Sequence, residues 1–317
     1  MSQPVDIVLA NLGAPSKLDE VQPFLKNLFN DADIFHFPFG KAGQSFFSSL
    51  ISKVRAPKSR KYYQAIGGGS PLHANTIRQA EKLQTMLGSS GQYRVWVAQR
   101  YWHPFMQEIS DRLRELNSSR IILIPLYPHY STTTTLSIVN EWERVAGDLV
   151  TPSVIERFYS EPLYLDACAH QIRNCIDESG GKPHVLFSAH SIPVERVKSG
   201  DPYEKEITHN MELIMDSLNR EYSYSLCYQS RVGPVKWLEP SVEQEIDRLV
   251  SLGIERVVVF PISFVSEHLE TLYELDIQKR DYALSHGIKK YHRARTVEDS
   301  DDFIRLLVKL IKGQINE

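Results

Sequence analysis

The chain repeats one folding unit, and that repetition limits its architecture more than any other feature. At an offset of 136, with no gap, Asp111-Arg-Leu-Arg-Glu-Leu-Asn-Ser-Ser-Arg-Ile-Ile-Leu-Ile-Pro-Leu126 lies over Asp247-Arg-Leu-Val-Ser-Leu-Gly-Ile-Glu-Arg-Val-Val-Val-Phe-Pro-Ile262. Six of the sixteen positions are identical: Asp111/Asp247, Arg112/Arg248, Leu113/Leu249, Leu116/Leu252, Arg120/Arg256 and Pro125/Pro261. Each copy reads as an amphipathic helix feeding a buried strand that stops at proline.

The same alternation runs through most of the chain. Short apolar runs predict strands at Val5–Leu12, Tyr93–Arg100, Arg120–Tyr127, His184–Ala189, Tyr224–Tyr228 and Arg256–Ile262. Between them, apolar residues recur at three- and four-residue steps in Thr76–Leu87, Pro104–Leu116, Tyr203–Leu218 and Ser241–Leu252, the helical spacing. Such alternation predicts an α/β fold with parallel sheets covered by helices on both faces. The first strands agree in kind: Ile7–Asn11 leads into Gly13-Ala-Pro15, and Val185–Ala189 into Ser191-Ile-Pro193, at an offset of 178. From that offset the first half is expected to be shorter between its elements than the second, or differently decorated. The expected organisation is a first half over residues 1–156, a second over 157–300, and a C-terminal helix over 301–317 packing back on the first half.

Two doubly wound halves facing each other would place ligands beyond the carboxyl ends of their strands. That topology selects Leu12, Arg100, Pro128–Thr135, His190, Gln229–Arg231 and Ser263–Glu274. Composition narrows the chemistry. A formal charge of −3 gives no support to nucleic-acid binding. Three cysteines without a C-x-x-C pair argue against a zinc ribbon, a dithiol redox site or a disulfide framework. The start lacks a basic region followed by a long apolar core, and no apolar run approaches the roughly 20 residues of a membrane span. A cytoplasmic enzyme or ligand binder is expected.

His190 follows a hydrophobic strand in Phe187-Ser-Ala-His-Ser-Ile-Pro193, where a ligand or proton carrier belongs; the plainer reading is a histidine bonded to a neighbouring loop. Farther on, Glu267, Glu270 and Glu274 stand three and four residues apart in a segment that reads as helical from Ser266, so Glu270 and Glu274 share a face. A solvated acidic first turn complementing the helix dipole accounts for Glu267 but poorly for Glu274. A carboxylate ladder carrying a divalent cation inward is the alternative, and one histidine with carboxylates suits a borderline cation such as Fe²⁺. Gly67-Gly-Gly-Ser-Pro-Leu72 precedes a helix but follows no strand, so a sharp turn that admits a ligand close to the backbone is favoured over a phosphate cradle. The segment from Ile34 to Ile51 holds Phe35, Phe37, Phe39, Phe46 and Phe47 with little charge before Lys53 and Arg55; it reads either as core or as an exposed apolar lip.

Taken in order, several motifs resemble the ferrochelatase family nearly end to end. They are Asn11-Leu-Gly-Ala-Pro15, Ile66-Gly-Gly-Gly-Ser-Pro-Leu72, Arg100-Tyr-Trp-His-Pro104, Pro125-Leu-Tyr-Pro-His-Tyr-Ser131, Phe187-Ser-Ala-His-Ser191, Gly200-Asp-Pro-Tyr203, Tyr228-Gln-Ser-Arg-Val-Gly-Pro234 and Glu267-His-Leu-Glu-Thr-Leu-Tyr-Glu-Leu-Asp276. The resemblance implies two Rossmann-like halves related by pseudo-twofold symmetry, a porphyrin in the cleft between them, and insertion of Fe²⁺ to finish haem. It implies His190 and Glu270 as the inner metal and proton site, with Glu274 and His268 on an outer path. It places Arg55, Tyr63 and Ser70 near the propionates and makes Leu12, Trp237 and Phe264 walls of the pocket. Arg100 and Tyr130 are also expected to contact substrate, and the phenylalanine segment (about 34–55) becomes a lip touching the inner face of the cytoplasmic membrane.

Two departures from the family pattern carry expectations. Animal members have a C-terminal extension and cysteines for a [2Fe–2S] cluster; here the chain stops at Glu317 and Thr132 stands at the internal ligand position, so no cluster and no tightly bound cofactor are expected. Leu12 stands where Gram-positive coproporphyrin enzymes tend to have tyrosine, which favours protoporphyrin IX. The chain is expected to be a monomer or weak dimer. Alternatives are a cobalt chelatase, a coproporphyrin ferrochelatase or a non-catalytic two-lobed tetrapyrrole- or metal-binding protein.

Overall fold

The computed structural model describes residues 3–35, 37, 39–88, 91–231 and 233–316, the last without its side chain. His36 and Pro38 of the phenylalanine segment, Val232 of the Tyr228–Pro234 motif and both chain ends therefore lie outside the described residues. The strands are β1 Val5–Asn11, β2 Tyr93–Gln99, β3 Ile121–Pro125, β4 Ser153–Val154, β5 His184–His190, β6 Tyr224–Gln229, β7 Arg256–Phe260 and β8 Lys290–Arg293. They form two parallel sheets with the orders β2-β1-β3-β4 and β6-β5-β7-β8. In each, the first strand is central, the second lies to one side, and the third and fourth to the other. The duplicated pattern thus extends to the whole of both sheets.

The chain divides into two compact units: one of residues up to 127, 131–156 and from 307 on, the other of residues 128–130 and 157–306. The first half is not the shorter one between its elements; it is differently decorated, the other form of the expectation. β1 and β3 begin 116 residues apart, at Val5 and Ile121, whereas β5 and β7 begin 72 apart, at His184 and Arg256. The first unit is therefore the longer one, because helices Val21–Phe29 and Gly40–Ala65 are inserted after β1. A larger offset at the first strand than at the third means that residues were spent early in the first half.

Parallel strands covered on both faces need apolar residues at every position. In the first unit, Val8, Ala10, Leu123 and Ile121 pack with Met106, Leu113, Ile138 and Trp142, while Ile7, Leu9, Ile122 and Ile124 are buried on the other face. Asp6 interrupts β1, and its buried carboxylate accepts from Arg94 Nε at 2.8 Å, Arg94 Nη2 at 2.6 Å and Trp96 Nε1 at 2.8 Å. A buried charge is tolerated because it is fully paired. In the second unit, Leu186, Cys227, Val257 and Val259 pack with Val242, Ile246 and Leu249 of helix Val242–Ser251. Ser241 and Gln244 cap that helix reciprocally. Its counterpart Met106–Glu115 likewise begins with Glu108 accepting from the Phe105 N–H at 3.2 Å.

Two of the buried histidines of the second unit, His129 and His184, lose most of their basicity to burial. His129 lies against Tyr159 and Asn210, and burial pushes its pKa down to about 3 although the Asn210 bond opposes this. His184, bonded at both ring nitrogens to the Ser223 and Ser225 hydroxyls, is pushed down to about 4, again by burial. Both pKa values lie below the unfolded value of about 6.5, so the unfolded chain takes up these protons first and stability falls as pH drops below that value. At pH 5 each group should cost about 2 kcal/mol relative to pH 7.5. Urea unfolding at the two pH values checks this: His184→Gln should shrink the acid loss by about half, and an unchanged loss would contradict the assignment.

Candidate active site

In the second unit the expected residues gather at the carboxyl ends of β5, β6 and β7. His190 is the last residue of β5 and pairs in register with Gln229 of β6. Its Nδ1 lies 2.8 Å from the Ser191 carbonyl oxygen. A carbonyl only accepts, so in the neutral ring the proton sits on Nδ1, and Nε2 is left with a lone pair for a proton or a metal ion. Phe264 stands edge-on to both histidine rings, its centroid 6.3 Å from His190 and 4.3 Å from His268.

The acidic segment differs from the α-helix expected from Ser266. Residues Glu270–Lys279 form a π-helix, a rare form that recurs at functional sites, and Glu267 and His268 precede it. Gln229 braces its first turn: Nε2 donates to the Glu270 carbonyl at 3.0 Å and to the Glu274 carboxylate at 3.2 Å, while Oε1 accepts from Ser188 at 2.7 Å. Glu274 also accepts from the Ser230 N–H at 2.8 Å and from the Ser230 hydroxyl. The Glu270 carboxylate lies 3.5 Å from His268 Nε2. Burial lowers the His268 pKa against the pull of Glu270 and Glu267, so the ring is neutral and this contact is not an ion pair at neutral pH.

Glu267 is not the solvated first-turn carboxylate expected from the dipole argument. It is buried and accepts from Arg293 Nη1 at 2.8 Å and the Thr296 N–H at 3.0 Å. Burial would raise its pKa, but the Arg293 guanidinium and these bonds outweigh burial and hold it low. Arg293 also donates twice to Asp276, both at 2.7 Å, so one buried cation ties the segment before the π-helix to a residue inside it. Trp237 is half-buried beside Pro193, and its indole N–H is buried without a hydrogen-bond partner among the described residues. The Tyr130 ring lies under Arg157, whose Cζ is 5.1 Å from its centroid.

In the first unit, Leu12 follows β1, with its N–H on Asn11 Oδ1 at 2.8 Å and its carbonyl accepting from the Tyr101 N–H at 2.9 Å. Ser70 donates its N–H to the Pro15 carbonyl at 2.8 Å, and a Cβ on Gly69 would stand 2.1 Å from the Ser16 carbonyl oxygen. The glycine run is therefore a close approach of backbone to backbone. Tyr63 is buried, whereas Arg55 is exposed with Cζ 5.6 Å from the Phe29 ring centroid. Arg100 is drawn into a polar cluster of its own unit: it pairs with Asp31 at 3.0 Å and Glu141 at 3.3 Å and donates to Ser137 at 3.1 Å. From Gly40 on, the phenylalanine segment lies in the helix Gly40–Ala65. Phe39 is 84% and Phe46 64% exposed, while Phe37 and Phe47 face each other with centroids 5.7 Å apart.

The paired parallel sheets define the fold class of the two-sheet chelatases. SirB from Bacillus subtilis with Fe³⁺ aligns over 98% of this chain and 95% of its own at a TM-score of 0.59 and 11% identity. CbiX, a terminal enzyme of siroheme biosynthesis in denitrifying bacteria, covers 98% of each chain at a TM-score of 0.52 and 12% identity. Within that class the chain belongs to the ferrochelatase family, whose model matches residues 5–315. Ferrochelatase of Aquifex aeolicus is 43% identical over 98% of this chain and 99% of its own length, and that of Geotalea daltonii 42% identical over 99% and 98%.

Gly69→Ala should destabilise the fold by about 3 kcal/mol, because the approaching atoms are backbone and cannot turn aside. Gly313→Ala, in open space within helix Asp301–Asn316, should instead stabilise by about 0.5–1 kcal/mol. Urea midpoints for the two variants check the contrast, and equal effects would count against the Gly69–Ser16 contact.

Proposed function

We propose that this ferrochelatase-family enzyme inserts Fe²⁺ into protoporphyrin IX to form protohaem, releasing the two pyrrole protons. The observation that carries the reading is the Nε2 lone pair of His190 at a strand end, with Phe264 edge-on to both His190 and His268 and the Glu270 carboxylate beside His268. Metallation must remove two N–H protons from a ring whose lone pairs point inward, so the metal reaches them only when the ring is bent. Holding it bent draws on binding energy from the rest of the macrocycle. Leu12, Trp237 and Phe264 supply apolar contact, and Arg55, Tyr63, Ser70 and Tyr130 are assigned to the substrate's polar edge. Arg100, committed to Asp31 and Glu141, acts by holding the loop after β2. Nε2 of His190 takes a pyrrole proton, and Glu270 holds or relays it. Glu274, a turn farther along and held by Ser230, serves the metal's approach with His268.

His190→Ala should abolish turnover while porphyrin binding stays within about tenfold, roughly 1.4 kcal/mol. The assay is loss of protoporphyrin fluorescence when Fe²⁺ or Zn²⁺ is added anaerobically to catalytic protein; near-normal turnover in the variant would remove His190 from the mechanism. Glu270→Gln should be severe in kcat, and Glu274→Gln should mainly raise the apparent metal KM. Equal kcat losses in both would contradict an inward path.

The same reading places the enzyme in the cytoplasm, in peripheral contact with the inner face of the cytoplasmic membrane. No described helix is long and apolar enough to cross a bilayer. Phe46, Leu50 and Val54 are exposed at four-residue steps on one helix, next to exposed Phe39, and form a stripe suited to shallow insertion. The reading includes no iron–sulfur cluster; the three cysteines are buried, and burial raises each thiol's pKa, that of Cys175 to about 12. A lip with few cations suits the vinyl edge of protoporphyrin, whereas the two extra carboxylates of coproporphyrin would be left unpaired. At least ~100-fold preference for protoporphyrin in kcat/KM is expected, about 2.7 kcal/mol; equal values would overturn the substrate. The double variant Phe39→Ser, Phe46→Ser should bind vesicles more weakly while metallating normally in detergent. Unchanged flotation with vesicles would overturn the membrane contact.

A further inference from the structure

We propose that Tyr203 is a positioning residue for His190: its phenol holds the His190 carbonyl and thereby keeps the imidazole in the Nδ1–H form. This rests on the reading of His190 as the proton and metal group. β5 ends at His190, and there its backbone partners are side chains. Tyr203 Oη donates to the His190 carbonyl at 2.9 Å, and the His190 N–H donates to Ser263 Oγ at 2.9 Å. The following N–H, of Ser191, donates to the Gln229 carbonyl at 2.8 Å. The peptide between His190 and Ser191 is thus held at both its oxygen and its nitrogen. Its orientation sets where the Ser191 carbonyl points, and that carbonyl is the acceptor of Nδ1.

The phenol is itself fixed. Tyr203 is buried, its ring stands edge-on to His129 at 6.1 Å, and its N–H donates to Asp201 Oδ1 at 3.1 Å at the start of helix Tyr203–Ser217. A buried tyrosine hydroxyl requires a partner, and here it donates to the carbonyl of His190, with the Ser263 hydroxyl also within bonding reach. Without the phenol the peptide can rotate, the Ser191 carbonyl leaves Nδ1, and the ring can carry its proton on Nε2. In that form the group that should accept a pyrrole proton already holds one.

The test is Tyr203→Phe, which keeps the ring and removes the hydroxyl. ¹⁵N-histidine spectra of metal-free protein are recorded at about pH 8.5, above the ordinary histidine pKa of about 6.5, and His190 is assigned by its loss in His190→Asn. Wild type should show a pyrrole-type Nδ1 and a pyridine-type Nε2, and Tyr203→Phe a mixture of both tautomers. In the fluorescence assay kcat should fall about tenfold or more with the porphyrin KM within about twofold, as expected of a misplaced reacting group. Ser263→Ala loosens the same strand end and removes the second hydroxyl beside the phenol, but leaves the bond from the phenol to the His190 carbonyl, so it should keep the single tautomer. A single Nδ1–H tautomer in Tyr203→Phe, unchanged kcat, or the same mixture in Ser263→Ala would overturn the proposal. Absence of metallation by wild type would sink the proposed function instead, and the spectra would still decide the role of Tyr203.

Discussion

A parallel strand buried on both faces has its hydrogen-bonding groups taken up by its neighbours and its side chains by the helices above and below. Only where the ladder stops does the chain have groups to spare, so chemistry is confined to the loops at the carboxyl ends. β5 shows the consequence. Along Val185–Ala189 its neighbours are β6 and β7, but the pairing with β7 ends at Phe187 and that with β6 at His190. Ser263 and Tyr203 take over the vacated backbone positions. The histidine proposed to react therefore sits at the end of a rigid strand, while its backbone groups are held by replaceable side-chain bonds.

Much of this was legible in the sequence, for a physical reason. Burial of a parallel strand leaves an unbroken apolar run, and a covering helix leaves a three-to-four period, so strands and helices show themselves locally. His190 and Glu270 were singled out as candidates because the segments that hold them follow such runs. Tyr203 was not, since a phenol reaching a carbonyl thirteen residues earlier leaves no periodic trace. Glu267 was misread for the same reason: its partner Arg293 lies 26 residues away, and without it a carboxylate ahead of a helical pattern looks solvated. The π-helix was equally hidden, because side-chain spacing alone does not distinguish i+5 from i+4 bonding over ten residues.

The glycine run shows how one local signal divides into two physical causes. Gly67 and Gly68 have φ values of 106° and 97° with open space around them, so backbone conformation alone favours glycine there. Gly69 has no such φ, and what excludes a side chain is the Ser16 carbonyl. A sequence shows three equal glycines. Only the fold separates a turn from a contact that fastens Ser70 to the loop after β1.

Comparison of the two sheets carries the argument one step further. β1 pairs Asn11 with Gln99 of β2, and β5 pairs His190 with Gln229 of β6, so the structural equivalent of the histidine is Asn11, at an offset of 179 rather than 178. The glutamines at both second-strand ends are buried. In the first unit Asn11 is spent on its own fold: its oxygen accepts from the Leu12 N–H and its amide donates to Thr76 at 3.2 Å, while Gln99 lies 2.6 Å from His73. In the second unit the corresponding glutamine braces the π-helix. The same topological position can thus stabilise a loop or hold the histidine proposed to react. The difference lies in whether both polar atoms of the side chain are spent within the fold, as those of Asn11 are on the Leu12 N–H and the Thr76 hydroxyl, or only one is, as in His190, whose Nδ1 meets the Ser191 carbonyl while Nε2 keeps its lone pair.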